Sequence, residues 1–252
     1  MNKVTYGLVL FSAVVGYMFF FPGSKESVGS LLDYRNPYSR KPASLSAPQE
    51  VVETESVDKT KLQIKLSKLY TLKDCYTSDC DIASNDAREY ELTIGSKLKK
   101  ELLSFYEEVL KSGKVSSEIE DVALEFLAIN DGHVKEAALL LLSTQPPTQV
   151  ALNGIIDNVL DYHDPNLIGL ALIELEKYKS EEYNLQIKES FVRNFREGSL
   201  LVKEALAKGI YKFVNHESRS QYENILNNLP KNSRVRKNLK ASLERYDYRS
   251  KL

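Results

Sequence analysis

Apolar residues mark one helical face of the stretch Asp131–Leu142 (DGHVKEAALLLL) at Val134, Ala138 and Leu142. A spacing of four places side chains above one another on a helix. The same trio returns as Leu167/Ala171/Leu175, as Leu201/Ala205/Gly209 and as Val235/Leu239/Leu243, in steps of 33, 34 and 34 residues. A second series, Phe126, Val159, Val192 and Ile225, keeps a step of 33. Two interleaved series of one period predict helix pairs, an A helix then a B helix, stacked into an array. Leu102/Tyr106/Leu110 lies 32 residues before the first trio and fits a degenerate opening copy.

Punctuation supports the same division. A helix is expected over Arg88–Lys111, closed by Gly113 in a left-handed C-cap. Ser117 with Glu120 reads as a capping box for the next helix. Pro146-Pro147-Thr148 separates the first B helix from Val150–Leu160, and Asp164-Pro165 supplies an N-cap followed by an N1 proline. Ser180 caps a helix at Leu185–Phe195, Gly198-Ser199 opens Leu201–Val214, and Ser220 with Glu223 starts Tyr222–Leu229. Asn232 or Ser233 caps the last helix. Turns of two to six residues make successive helices antiparallel. The body carries no strand pattern, so the expected fold class is all-α, an α-solenoid of antiparallel helix pairs.

Upstream the pattern changes. Val4–Phe21 contains no charge and ends at Pro22. Its length as a helix, ~27 Å, approaches a bilayer core of ~30 Å. The run ends in Met18-Phe19-Phe20-Phe21 without a small-x-small site, which favours an uncleaved signal-anchor over a cleaved signal peptide. Residues 22–57 carry Pro22, Pro37, Pro42 and Pro48, many serines and little periodicity, as a linker does. The expected domains are therefore an anchor over 1–21, a linker over 22–57 and a helical-repeat body over 58–252. Four cations follow the run within about twenty residues and only Lys3 precedes it, against a simple positive-inside bias. The extreme N-terminal position of the run and the single cysteine pair place the body outside the cytoplasm (the periplasm, in a bacterium).

Leu62, Leu66, Leu69 and Leu72 share a face of Lys59–Leu72, which predicts a helix of about three turns. Cys75 and Cys80 follow, with four residues between them, in an acidic segment holding Asp74, Asp79, Asp81 and Asp86. A disulfide is the favoured reading in an oxidising compartment, ahead of free thiols and of a metal site. Zinc needs four ligands, and no second Cys/His pair is near.

Net charge is −1 over 252 residues, which gives no overall pull toward nucleic acid, and none is expected as a partner. Its distribution is uneven. Ser116–Asp161 holds eight acids against Lys135 alone, while Glu197–Leu252 holds twelve Lys/Arg against six Asp/Glu. Lys203, Arg236 and Lys240 fall on B helices and are the candidate partner-binding residues, suited to an acidic protein, a cell-wall polymer or lipid headgroups. Solvated helix faces are the plainer reading of these charges.

No catalytic motif appears. His133, His163 and His216 form no H-E-x-x-H, and P-loop, G-x-S-x-G and G-x-G-x-x-G signatures are absent. No cofactor or metal is implied.

Asp131-x-x-Val134-Lys135-x-x-Ala138-x-x-x-Leu142 resembles the second helix of HEAT repeats, with their Asp, Val-Arg/Lys, Ala and Leu positions. Asp164-x-x-Leu167…Ala171…Leu175 keeps most of it with Ile168 at the basic position, and Val235-Arg236 recovers the basic residue. The resemblance covers about residues 116–246. Tetratricopeptide repeats share the period, but their second alanine falls on Gln145, Tyr178 and Lys212. The resemblance implies a binding scaffold, here membrane-tethered and extracytoplasmic, for a protein partner. An enzyme on such a scaffold, or a dedicated inhibitor or immunity-type binder of one secreted protein, are the alternatives.

Overall fold

The computed structural model describes residues 54–251, apart from Asp79, Ala83–Asn85 and His163, with side chains from Leu62 onward. The expected anchor over 1–21 and nearly all of the expected linker lie outside the described residues. Among the described residues there is no strand. No helix among them is long and apolar enough to cross a membrane.

Among the described residues ten α-helices follow one another: α1 (Thr54–Asp74), α2 (Ala87–Ser112), α3 (Ser117–Leu127), α4 (Gly132–Leu142), α5 (Gln149–Ile155), α6 (Pro165–Glu174), α7 (Glu181–Glu197), α8 (Leu200–Gly209), α9 (His216–Asn228) and α10 (Arg234–Arg249). A π-helical turn, Ile156–Leu160, continues α5, and 3-10 turns continue α6 and α8. α2, α4, α6, α8 and α10 pack each against the next. α3 packs on α4 and α5, α7 on α8 and α9, and α1 on α2. The all-α class is thus present, with the even-numbered helices packed in succession.

Local signals explain the boundaries. Gly113 takes φ 66 and donates its N–H to Val109 O, a left-handed cap open to a residue without Cβ. Asp164 accepts from the N–H groups of Asn166 and Leu167, with Pro165 at N1. Several boundaries differ from expectation, among them the start of α7 at Glu181 rather than Leu185. Ser116, one residue early, is the cap of α3 and accepts from Ile119 N. Glu120 is free of that box and meets the Thr148 hydroxyl instead. α9 starts at His216 rather than Tyr222, because Asn215 and Ser218 form a reciprocal capping box that the Ser220/Glu223 reading overlooked. α1 runs 21 residues and starts at Thr54, inside the expected linker.

The first two apolar trios are buried as expected, Val134, Ala138 and Leu142, then Leu167, Ala171 and Leu175. The third is displaced by one residue. Leu201 is 49% exposed, and Val202, Leu206 and Ile210 take the core positions. The steps become 33, 35 and 33 along Val134, Leu167, Val202 and Val235. Ser199 sets this phase by capping α8 through Val202 N. Gly209 still earns its place: a Cβ there would stand 2.5 Å from Leu172 Cδ1, so its absence lets α8 approach α6. The A series holds, with Phe126, Val159 and Val192 buried and Ile225 half-buried.

Candidate functional site

The α1–α2 connection is tied down covalently. Cys75 and Cys80 form a disulfide with their Cα atoms 5.4 Å apart. Tyr90 Oη accepts the Cys80 N–H at 2.9 Å and lies 3.2 Å from the Cys75 and Ser78 carbonyls. Between the cysteines, Tyr76 donates its hydroxyl to Asp131 Oδ2 at 2.9 Å. The other oxygen of Asp131 caps α4, accepting from His133 N at 2.8 Å and Val134 N at 3.2 Å. A Cβ at Gly95 would stand 2.1 Å from Asp131 Oδ2. A mid-helix glycine costs about 1 kcal/mol against alanine; here it gives the carboxylate room against α2. Burial, then the bond to Asp131, pushes the Tyr76 hydroxyl well above its ordinary range. The loop's sulfurs are bonded to each other and Asp86 caps α2 by accepting from Arg88 N. Among the described residues no group of His, Cys, Asp or Glu is arranged to hold a metal.

Asp131 also borders a groove of about 780 Å³ where α2, α4 and α6 meet. Leu92, 59% exposed, and half-buried Leu170 line it with His133 and Tyr162. Lys99 of α2 spans to Glu136 of α4 at 2.6 Å across it. Beneath it Lys135 is buried, donates to Leu127 O at 2.7 Å, and lies 5.2 Å from the Tyr162 ring. Burial lowers the Lys135 ammonium below its ordinary range and raises the Tyr162 hydroxyl. Asp131 and Asp164 are occupied as helix caps, and Lys99 and Glu136 by each other. What the groove offers is shape, two leucines and an ion pair.

The three predicted binding cations are placed on separate tasks. Lys203 donates to Arg196 O at 3.0 Å, near the end of α7. Arg236 donates to Leu229 O at 3.1 Å and to Leu226 O, at the end of α9. Lys240 pairs with Glu244 at 3.7 Å on the exposed side of α10. Lys203 and Arg236 repeat the arrangement of Lys135: a cation one residue after the first core valine closes the carbonyl end of the preceding helix. This satisfies orphan acceptors and suits the negative end of the helix dipole. The signal was legible as Val134-Lys135, Val202-Lys203 and Val235-Arg236. Lys240 is exposed, and so are Lys208, Lys231, Arg234 and Lys237, which sequence reasoning passed over.

Tyr178 is fully buried, and Tyr211 is half-buried under Arg245 and Arg249, whose guanidinium carbons lie 3.9 and 5.5 Å from its ring centre. Among the histidines, His133 edges the groove, His216 opens α9, and His163 lies outside the described residues. Comparison with protein-family models, with curated proteins and with solved structures gives no match.

Proposed function

We propose that this chain is a membrane-tethered scaffold whose helical body, an α-solenoid of HEAT-like pairs on the extracytoplasmic side, holds a protein partner. The observation that carries the reading is the groove between α2, α4 and α6, with exposed Leu92 beside the Lys99–Glu136 pair. Successive packing of α2, α4, α6, α8 and α10 supports the solenoid. The charge-free run Val4–Phe21 supports the tether, and the Cys75–Cys80 disulfide supports an oxidising compartment. In the groove Asp131 and Asp164 cap helices, Lys99 and Glu136 pair with each other and the Tyr162 ring lies against Lys135, which suits binding better than proton transfer.

Site-specific photocrosslinking in cells tests this. A crosslinker at Leu92, Leu170 or Glu136 is expected to give one discrete adduct, absent when the crosslinker stands at exposed Glu189 of α7. Leu92→Glu in the presence of the Leu170 crosslinker should abolish it. A smear common to all positions, or no adduct, refutes the groove. Protease accessibility in spheroplasts checks the side of the membrane, and a shielded body refutes the location.

A further inference from the structure

We propose that copies of this chain associate head to tail, the cationic outer face of α10 on one copy seating on the acidic crevice between α1 and α3 of the next. The two surfaces are on one chain, and among the described residues Arg234 and Lys237 on the one and Glu118 and Asp121 on the other form no ion pair.

The acidic surface comes from a one-sided sequence. Lys135 is the single cation among eight acids over Ser116–Asp161, and it is buried against Leu127 O. Lys73 and Lys99, from α1 and α2, neutralise Glu125 and Glu136. Glu118 and Asp121 remain exposed at the rim of a crevice of about 430 Å³, floored by Leu66 and Val122. Glu118 accepts one hydrogen bond, from Gln63 Nε2 at 3.0 Å, and keeps its other oxygen.

The cationic surface is a stripe. Arg234, Lys237 and Lys240 recur every third residue on the exposed side of α10, with a rise of ~4.5 Å per step. Among the described residues Arg234 and Lys237 have no acidic partner, and Lys240 has only Glu244 at 3.7 Å. Glu197–Leu252 carries six more cations than acids, twelve against six.

An anionic lipid surface would take up the α10 stripe and leave the crevice unused. A second copy uses both. Because the two patches differ, the contact is heterologous, and each bound copy presents a fresh patch to the next. Confinement to a membrane raises the effective concentration, so a weak ionic contact suffices. The contact leaves the Leu92–Leu170 groove open, so it stands or falls apart from the partner proposed there.

The test is sedimentation velocity of the full chain in neutral detergent micelles. At ~0.01 M salt, where charges are felt over ~30 Å, a ladder of assemblies is expected; at ~1 M, with screening at ~3 Å, the assembled fraction should fall roughly tenfold or more. Association through the anchor would not respond to salt. Arg234→Glu/Lys237→Glu, and separately Glu118→Lys/Asp121→Lys, should each abolish the ladder while circular dichroism stays unchanged. Glutamine at the same four positions gives a milder pair of variants should a reversal unfold. Mixing the two reversed variants is the sharpest arm. The first then carries acid on both patches and the second base on both, so the mixture should rebuild an alternating ladder that neither forms alone, whereas the two glutamine variants, each with one charged patch left, should stop at a one-to-one pair. A salt-independent size, a variant that assembles like wild type, or a mixture that stays apart overturns the proposal. So does a monomeric wild type whose stripe binds phosphatidylglycerol vesicles.

Discussion

The pairs α3–α4 and α9–α10 share a design and differ in what holds them. In both, a cation on the second helix closes the first, Lys135 onto Leu127 O and Arg236 onto Leu226 O and Leu229 O. Yet α3 buries Ile119, Val122, Ala123, Phe126 and Leu127, whereas α9 buries only Ser218 and Tyr222. The later pair relies on charge: Arg219 grips Asp247 with Nε and Nη2, both at 2.6 Å, and reaches Glu223 at 2.5 Å. An interior pair has neighbours on both sides and can bury apolar surface twice over. The last described pair meets α7 and α8 on one side and solvent on the other, so ion pairs cover what side chains cannot.

The largest effect expected from this contrast is at the A-series position itself. Phe126 and Ile225 are equivalent by period, but Phe126 is fully buried and Ile225 half-buried. Phe126→Ala should cost ~3–5 kcal/mol through lost transfer energy and a cavity against Tyr70, whose ring is 5.9 Å away. Ile225→Ala should cost about 1 kcal/mol, because much of its surface is already wet. Urea unfolding followed by circular dichroism measures both. Equal losses would mean that the two pairs are not held differently.

The periodicity that makes those residues comparable was legible because core positions tolerate little except apolar side chains. The misplaced third trio has a physical cause. Leu201, Ala205 and Gly209 continue the apolar pattern, but α8 turns Val202, Leu206 and Ile210 to the core, with Ser199 capping Val202 N, so Leu201 faces solvent. Hydrophobicity alone cannot choose between Leu201 and Val202; the cation at Lys203, which must reach back to α7, can. The π turn after α5 and the 3-10 ends of α6 and α8 change the helical pitch without changing the composition, and leave no sequence mark. The groove was illegible for another reason. Its lining comes from α2, α4 and α6, more than seventy residues apart from Leu92 to Leu170, and none of its residues belongs to a motif. The α10 stripe was half legible: Lys240 was named, while Arg236 was named for binding and is spent on α9.

A middle-sized effect sharpens the comparison at the shared cation. Lys135→Met keeps the apolar stem and deletes the donor, leaving Leu127 O buried without its partner, at about 1–2 kcal/mol. Arg236→Met deletes a donor to carbonyls at a half-exposed helix end, where water replaces it, and should cost under ~0.5 kcal/mol. Residue-resolved hydrogen exchange distinguishes the two: α3 should lose protection in the first variant, and α9 should change little in the second. A larger loss from Arg236→Met would mean that the last described pair depends on its cap more than on its ion pairs.

The smallest effect is a difference of sign with pH. Glu174, in interior α6, is 5% exposed; burial raises its carboxyl above the ordinary 4.5 and outweighs Lys177, whose Nζ lies 2.6 Å away. The folded chain therefore binds that proton more tightly than the unfolded chain, and stability falls as pH rises through the window above 4.5. Asp247 is the reverse. The hydrogen bond from Arg219 holds it below its ordinary 3.8 despite some desolvation, so its contribution is present above 3.8 and is lost as pH falls through the lowered value. Urea midpoints from pH 7 down to about 3 read both as differences from wild type. The Glu174→Gln variant should gain on wild type as pH rises from 4.5 toward neutral, since it no longer carries the buried charge. Asp247→Asn should lose ~0.2–1 kcal/mol at neutral pH, as expected for a partly exposed pair, and should converge on wild type in acid. If both variants moved in the same direction with pH, burial would not be the governing influence on Glu174, and the electrostatic half of the contrast between interior and last described pairs would be wrong.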